Sequence, residues 1–215
     1  MCTRAFLVFY EIPKELNLAT SALSLRKPRV LADLVAGSVG REIILVVGYA
    51  AFIGIFAQIS VPLGFTPVPL TGQTFAVLIG AAALGWARAG AGTLLYALVG
   101  LAGVPWFAGG TGGVKIASSP SFGYVVGFFV CSVLVGILAK AGWDRKAVGT
   151  IATMVLGNIV IYAFGVAWLA ATIHVGAAKA VSLGMTPFLA GDLIKIVIAT
   201  ALLPGAWYGI SKFSK

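Results

Sequence analysis

The chain has 215 residues, of which 60% are hydrophobic and 10% are charged, and its formal net charge is +9. A typical soluble domain carries about 25% charged residues, which it needs to cover a water-facing surface. So few charges exclude an ordinary soluble domain, and the composition predicts an all-α polytopic membrane protein built as one compact bundle. The basic residues lie in short connections and are not interleaved with aromatic residues on a polar face, which argues against a nucleic-acid partner.

Six apolar runs are predicted to cross the membrane as helices. A spanning helix needs about 20 mainly apolar residues to cross a hydrocarbon core about 30 Å thick. Only Arg88 marks the boundary between the second and third runs. The six runs cover about 42–62, 70–87, 89–104, 122–141, 148–173 and 187–211.

The distribution of Lys and Arg predicts that both termini lie in the cytoplasm, because cytoplasmic connections are enriched in these residues. With this orientation only Lys115 and Lys179 face outward, and Lys195 lies inside the sixth run. The basic residues that face inward are Arg4, Lys14, Arg26, Lys27, Arg29, Arg41, Arg88, Lys140, Arg145, Lys146, Lys212 and Lys215.

Residues 1–40 are predicted to form a cytoplasmic or interfacial extension, and residues 41–215 the six-helix transmembrane domain. The first residues, "MCTRAFLVFYEIPKEL", contain a short apolar patch that is followed by Pro13 and two acidic residues. No small-residue cleavage site follows the patch, so the segment is a poor signal peptide.

The three connections on the outer side differ from the short, basic connections on the inner side. The first, "PLGFTPVPL" at 62–70, is rich in Pro, and the second, at 104–123, is long and rich in Gly. The third, at 174–187, is moderately polar. Long irregular loops on one side commonly shape binding sites or lids, so the functional site is predicted at the outer face.

Asp192 and Lys195 are the only acid and base in the interior of a predicted span, since Glu42 and Lys140 lie at the ends of theirs. With Pro187 as the first residue of the sixth helix, Lys195 lies about 12 Å from its outer end. The spacing of three residues puts both side chains on one helical face. Ionisable residues at such depth usually face a protein interior or a cavity. Two interpretations remain: a structural ion pair that neutralises itself, or a contact to a polar ligand.

A few other polar or aromatic residues lie within or beside the spans. Gln73 begins the second run, and Asn158 and Tyr162 share a face of the fifth. A lone Asn in a membrane helix often holds helices together. For Asn158 this structural role and a ligand contact are given equal weight. Trp106, Phe107 and Trp168 could also act as anchors at the membrane interface.

No motif for catalysis is present, so an enzyme is not expected. The stretch "GGTGGVK" lacks the spacing of a phosphate-binding loop, and this chain does not bind ATP by that route. The single histidine, His174, has no nucleophile partner, and Cys2 and Cys131 form no metal spacing or redox pair. Neither a metal nor a cofactor is expected.

Small residues recur along one side of the first predicted helix, at Ala50, Gly54 and Ala57. Such a face allows another helix to approach closely. The approaching helix could belong to this chain or to a separate protein.

Several motifs resemble one known family. They are "P-V-P-L-T-x-Q-T" at 67–74, "G-L-x-G-x-P-x-F-A-G-G" at 100–110, "S-x-G-Y-x-x-G-F" at 121–128 and the D-x-x-K of "GDLIK" at 191–195. Their sequence and order resemble the BioY family, the biotin-specific substrate-binding components of energy-coupling-factor transporters. The resemblance extends over about residues 43–210.

The resemblance implies six helices with both termini in the cytoplasm, a biotin site near the outer surface of the cell membrane, and no ATPase of its own. It implies as partners a transmembrane coupling protein and two cytoplasmic ATPases. The coupling protein is expected to contact the small-residue face of the first helix, at Ala50 and Gly54. In the family the Asp and Lys of the last helix line the pocket, which here are Asp192 and Lys195.

Biotin suits a pocket of this kind. Its ureido group offers two N–H donors and a carbonyl acceptor, its fused ring is apolar, and its tail ends in a carboxylate. Asp192 can accept from the ureido N–H groups, and Lys195 can meet the carbonyl or the carboxylate. The Gly-rich loop at 109–113 is expected to act as a lid. Further biotin contacts are expected from Gln73, Phe107, Tyr124, Asn158, Tyr162 and Trp168.

Three alternatives stay open at this point. The same architecture could work as a solitary carrier without ATPase partners. It could serve another vitamin, such as riboflavin or thiamine. Or the chain could be a membrane scaffold in which Asp192 and Lys195 only clamp helices together.

Overall fold

A computed structural model describes residues 30–34 and 37–213 of the chain. Most of the predicted N-terminal extension, 1–40, lies outside the described residues. Within the described part of that extension, a 3-10 helix at Leu31–Leu34 precedes the first long helix. Val30 is buried against Gly85, so this short segment packs on the bundle.

Each of the six predicted runs coincides with an α-helix. Boundaries differ from the prediction by a few residues, as is usual for apolar runs that lack strong caps. The six helices are α1 (Val39–Gln58), α2 (Gln73–Leu84), α3 (Trp86–Leu101), α4 (Phe122–Lys140), α5 (Ala147–Ile173) and α7 (Leu189–Phe213), where α6 is the short helix described below.

The sequence suggested a turn between α2 and α3 at Arg88, but in the structure the turn is at Gly85. Gly85 has φ of 80°, a left-handed conformation that strongly favours glycine. Arg88 lies in the first turn of α3, where its guanidinium bonds Glu42 of α1 at 2.5 Å and Asp33 at 2.8 Å. These ion pairs hold the N-terminal ends of α1 and α3 to the segment that precedes α1.

The outer connections contain more regular structure than the sequence predicts. Helix α6 (Ala177–Gly184) and a 3-10 helix at Thr186–Phe188 occupy the third connection, so α7 begins at Leu189 and not at Pro187. A second 3-10 helix, Val114–Ser118, lies in the Gly-rich connection. Strands β1 (Ser60–Val61) and β2 (Leu70–Thr71) pair antiparallel and close the loop at 62–70.

Small residues let the helices pack closely. The Tyr49 ring of α1 lies against Gly80 of α2, where a Cβ atom would overlap it. A Cβ atom at Gly127 of α4 would lie 3.0 Å from the Ile161 Cα of α5. Because the side of the bundle that faces lipid and its interior are both apolar, this size pattern, rather than polarity, decides which faces meet.

The small-residue face of α1 is buried within the chain itself. Ala50 is 1% exposed, and a Cβ atom at Gly54 would lie 3.1 Å from the Trp106 ring. In this structure, therefore, neither Ala50 nor Gly54 lies on a surface that a coupling protein could contact. Their small size is accounted for by packing against Trp106 and the neighbouring helices.

At the inner end, a 3-10 helix at Trp143–Arg145 joins α4 to α5. Its Asp144 is fully buried and accepts a hydrogen bond from Trp207 Nε1 of α7 at 2.6 Å. The Arg145 guanidinium lies 4.6 Å from the centre of the Trp207 ring. This contact fixes the inner end of α7 against the α4–α5 connection.

Four helical segments are long and apolar enough to cross a membrane: Val39–Gln58, Phe122–Lys140, Ala147–Ile173 and a window within Ala177–Lys212. Helices α2 and α3 are shorter, with 12 and 16 residues. The fold is therefore mostly helical, with four candidate spans among the described residues.

Candidate functional site

A cavity of about 280 Å³ lies at one end of the bundle, among the connections that the sequence predicts to face outward. Its walls come from the loop at 67–71, the start of α2, the loop at 107–111, the residues that lead into α4, and helices α5 and α7. Pockets for small ligands usually have volumes of about 300–1,000 Å³, so the cavity suits one small molecule. The predicted location at the outer connections agrees with these walls.

Asp192 and Lys195 of α7 both line this cavity. Lys195 Nζ lies 3.2 Å from Asp192 Oδ1, and Asp192 is only 4% exposed. Lys195 lies six residues into α7, which places it about 9 Å from the start of the helix. The pair is therefore both an ion pair and part of a cavity wall, and the void beside it leaves room for a polar ligand.

Two other contacts complete the polar part of the cavity. Tyr162 of α5 donates a hydrogen bond from its hydroxyl to Asp192 Oδ2. Lys195 Nζ donates to Thr74 Oγ1 at 2.7 Å and to the Thr71 carbonyl at 3.1 Å. These bonds explain how two charges persist in the interior of the bundle, since each keeps charge-assisted hydrogen bonds in place of water.

Aromatic residues form the apolar walls, and glycines on neighbouring helices leave the space that their rings occupy. The Phe107 ring lies against Gly100 of α3, and the Tyr124 ring against Gly165 of α5, so closely that a Cβ atom at either glycine would overlap the ring. Phe107 and Tyr124 both line the cavity. The combination of apolar rings with a few convergent polar groups is typical of small-ligand sites.

Helix α6 braces the outer wall of the cavity. The Tyr124 hydroxyl donates to the Gly184 carbonyl at 2.6 Å, and Thr66 Oγ1 donates to the Leu183 carbonyl at 2.9 Å. Thr66 belongs to the Pro-rich loop whose residues 67–71 line the cavity. The end of α6 is thus joined to two separate walls of the site.

The Gly-rich loop that was predicted as a lid lies at the cavity edge. Phe107 and Thr111 form an isolated β-bridge, and Gly109 and Gly110 between them have φ of 71° and 67°. Both glycines adopt left-handed conformations, which this tight turn requires. Ala108 and Thr111 of the loop line the cavity together with Phe107.

Six of the eight predicted ligand contacts line the cavity, and two do not. Trp168 points elsewhere and donates from Nε1 to the Ser119 carbonyl at 3.1 Å, beside Phe122. Asn158 is buried one helical turn from Tyr162, and its Oδ1 atom has no partner among the described residues. The six residues that line the cavity are Gln73, Phe107, Tyr124, Tyr162, Asp192 and Lys195.

The sequence did not single out Thr74, the hydroxyl partner of Lys195. It lies inside the motif "PVPLTGQT", but a Thr at a helix start is common, so only the contact to Lys195 identifies its role. No group of three metal-binding side chains occurs in the part of the chain that the structure describes. His174 ends α5 in a left-handed conformation with φ of 55° and lies on the surface.

Known biotin transporters are similar to this chain in sequence. The biotin transporter BioY of Rhizobium etli is 34% identical over 172 residues, which cover 75% of this chain and 90% of that protein. The biotin transporter BioY of Thermotoga maritima is 36% identical over 162 residues, which cover 75% of this chain and 93% of that protein.

The fold also matches a solved structure, the S-component for biotin from an ECF-type ABC transporter. The TM-score is 0.71 at 22% identity, and the match covers 80% of this chain and 95% of that one. The family model described as "BioY family" matches residues 26–212, which include every wall of the cavity. The chain therefore belongs to the BioY family.

Proposed function

We propose that this protein takes up biotin as the substrate-binding component of an energy-coupling-factor transporter. Membership of the BioY family and the biotin transporters among its relatives support this function. The observation that carries it is a buried acid–base pair, Asp192 and Lys195, on the wall of a cavity of small-ligand size. The chain is a transporter component and not an enzyme.

The chemistry of biotin fits the groups that line this cavity. The ureido N–H groups need an acceptor such as Asp192, and the carbonyl or the tail carboxylate needs a donor such as Lys195. The fused apolar ring can pack against Phe107 and Tyr124. Gln73 and Tyr162 supply additional hydrogen-bonding groups beside the pair. We propose these six residues as the biotin contacts, without Asn158 and Trp168.

We further propose that the chain crosses the cell membrane six times, with both termini in the cytoplasm. Helix α2 accounts for about 18 Å, and the extended residues 70–71 before it add about 7 Å, which together give about 25 Å against a hydrocarbon core about 30 Å thick. Helix α3 spans about 24 Å. Arg41, Arg88, Lys140, Arg145 and Lys212 then face the cytoplasm, in agreement with the positive-inside rule, and the cavity faces outward.

The proposed partners are a transmembrane coupling protein and two cytoplasmic ATPases. The sequence has no phosphate-binding loop, so ATP hydrolysis requires another chain. Because Ala50 and Gly54 are buried, we propose that the coupling protein contacts the exposed side of α1. That side presents Ile44, Val47 and Ile55, which are 71%, 50% and 64% exposed.

Titration of the detergent-solubilised chain with biotin tests the binding function. We expect tight binding to the wild type and loss of binding in the Asp192→Asn, Lys195→Ala double variant. The matched control is Asp144→Asn, Lys140→Ala, which makes the same two changes at the inner end of the bundle. The control should bind biotin like the wild type.

A wild-type chain that ignores biotin would contradict the assignment of the ligand. Riboflavin and thiamine should be titrated in parallel, because tight binding of either in place of biotin would identify a different vitamin. A double variant that binds as tightly as the wild type would remove Asp192 and Lys195 from the site and return them to a clamping role.

Reconstitution in liposomes tests the dependence on partners. We expect no accumulation of biotin by the chain alone, and uptake when the coupling protein and the ATPases are added with ATP. Uptake by the chain alone would show that it works as a solitary carrier.

A further inference from the structure

A buried tyrosine outside the cavity contacts both the polar and the aromatic parts of its wall. Tyr96 of α3 is 0% exposed, and its hydroxyl accepts a hydrogen bond from Gln73 Nε2 at 2.5 Å. Gln73 lines the cavity and Tyr96 does not. Tyr96 therefore can affect a ligand only through the residues it holds.

The hydrogen bonds to Gln73 fix the orientation of its amide. Gln73 Oε1 accepts from Thr71 Oγ1 at 3.3 Å, while Nε2 donates to Tyr96. A phenol hydroxyl has one proton, and that of Tyr96 is directed to the Trp106 carbonyl at 3.5 Å. The amide of Gln73 thus has a distinct partner at each end, which determines the N–H and lone pair that remain for a ligand.

Tyr96 also holds the loop that supplies Phe107. Trp106 Nε1 donates to the Tyr96 carbonyl at 2.9 Å, and the rings of these two residues lie 5.3 Å apart. The Phe107 ring meets the Tyr96 ring edge-on, also at 5.3 Å. Tyr96 thus contacts both an amide and an aromatic ring of the cavity wall.

These contacts join the charged pair to the outer loop. Lys195 bonds the Thr71 carbonyl, and Thr71 bonds Gln73 through its hydroxyl. Gln73 bonds Tyr96, which contacts the Trp106 carbonyl. The chain of contacts is continuous from α7, across the start of α2, to the loop at 104–111.

We propose that Tyr96 is a positioning residue for biotin binding, which orients the Gln73 amide toward the ligand and holds the loop that carries Phe107. This inference rests on the proposed function, since it concerns the same cavity. It assigns a role to a residue that the ligand itself does not touch.

The Tyr96→Phe variant tests the proposal because it removes only the hydroxyl and keeps the ring that packs on Trp106 and Phe107. We expect the Kd for biotin to rise about tenfold, as for the loss of one hydrogen bond. Tyr49→Phe is the matched control. Tyr49 is also a buried phenol, bonded to the Val77 carbonyl at 2.9 Å, and it does not line the cavity. Its Kd should stay within about twofold of the wild type.

A double-mutant cycle distinguishes a positioning role from a general loss of stability. If Tyr96 acts through Gln73, the Tyr96→Phe change should have little further effect in a Gln73→Leu background, with a Kd within about twofold of Gln73→Leu alone. An equal, additive loss in both backgrounds would contradict the orientation of Gln73 by Tyr96, because the Tyr96 hydroxyl would then act independently of that amide.

The outcomes separate the two hypotheses. A wild-type chain that binds biotin, together with a Tyr96→Phe variant of equal affinity, overturns the positioning role and leaves the proposed function intact. A wild-type chain without affinity for biotin overturns the function itself. If Tyr96→Phe does not fold, Gln73→Asn tests the same contact, because its shorter amide cannot reach Tyr96. Wild-type affinity of that variant contradicts the proposal, since the contact between Gln73 and Tyr96 would then be dispensable for binding.

Discussion

Tyr162 of α5 donates a hydrogen bond from its hydroxyl to Asp192 Oδ2 of α7, and Asp192 Oδ1 accepts from Lys195. Both carboxylate oxygens of a buried acid therefore have a partner, one on each of two helices. This arrangement ties α5 to α7 at the point where the cavity meets the bundle core. It also directs the carboxylate, since its rotation would break one bond or the other.

Replacement of Tyr162 tests that relationship. Tyr162→Phe keeps the ring but removes the donor to Asp192, and bonds to charged groups contribute more than neutral ones. We expect the Kd for biotin to rise at least tenfold, measured by calorimetric titration. Tyr208→Phe is the control, because Tyr208 is 71% exposed on α7 and lies outside the cavity. Equal affinities of the two variants would contradict a role of Tyr162 in orienting Asp192.

The ion pair predicts non-additive effects on stability. Asp192→Asn leaves Lys195 without its carboxylate, and Lys195→Met leaves Asp192 without its ammonium. An unpaired charge in a protein interior is costly, whereas loss of both partners removes the charges together. We expect each single variant to lower the melting temperature in detergent, and the double variant to lie above the value expected from their sum.

Additive melting temperatures would show that the two side chains do not depend on each other. The same measurement on a Lys179→Met variant provides a baseline, because Lys179 lies on the surface of α6.

The position of the Tyr124 ring depends on the absence of a side chain at Gly165. Gly165→Ala places a Cβ atom where the Tyr124 ring lies, so the ring must move away from its place in the cavity wall. We expect weaker biotin binding and a lower melting temperature. Gly205→Ala is the matched control, because nothing lies within 4 Å of a Cβ atom there, and alanine favours the helix. Similar behaviour of both variants would mean that the wall adapts to the added methyl group.

Because the Asp144 carboxyl is buried, we expect the stability of the protein to depend on pH. Burial raises the pKa of this carboxyl above its usual 3.8, an effect larger than the opposing hydrogen bond from Trp207 and the nearby charge of Arg145. Because the folded pKa lies above the unfolded one, the folded state loses stability as pH rises from about 3.8 through the folded pKa. Asparagine does not titrate and can still accept from Trp207.

We therefore expect Asp144→Asn to raise the melting temperature at pH 7 relative to the wild type, with the difference shrinking as the pH falls toward 4. Thermal unfolding in detergent across this range measures it. Parallel profiles for the two proteins would mean that Asp144 has the same pKa in the folded and unfolded chains.

The approximate positions of α1 to α5 and α7 could be predicted from sequence because each lies within an apolar run that a more polar or irregular connection interrupts. The Asp192–Lys195 pair could be located for a similar reason, since two charges inside an apolar run stand out. Helix α6 was missed because its eight residues are too few and too polar to resemble a span. The turn at Gly85 was missed because Arg88, three residues later, gave the stronger polar signal.

It was harder to predict which residues of a helix face lipid, the bundle core or the cavity. Apolar residues are suitable both for lipid and for the bundle core, so Ala50 and Gly54 could be placed on α1 but not assigned to an internal or external contact. Trp168 and Asn158 share helical faces with Ile161 and Tyr162, which line the cavity, but they lie two turns and one turn away along the helix and do not reach it. The sequence contained no indication of a role for Tyr96, which lies in a Gly-rich helix. Only the hydrogen-bond partner of its hydroxyl, seen in the structure, distinguishes it from other buried tyrosines.

The opposite charges of Asp192 and Lys195 sum to zero, so the net charge of the occupied cavity is that of the bound ligand. Biotin at neutral pH is a monovalent anion, and its delivery to the cytoplasm moves negative charge toward the side that is already negative. That electrical work is about 2.3 kcal/mol for each 100 mV of membrane potential. Because the binding site returns after each cycle, the net charge moved is that of the biotin anion, and import is electrogenic and uphill against the membrane potential, which suits a transporter that draws on ATP.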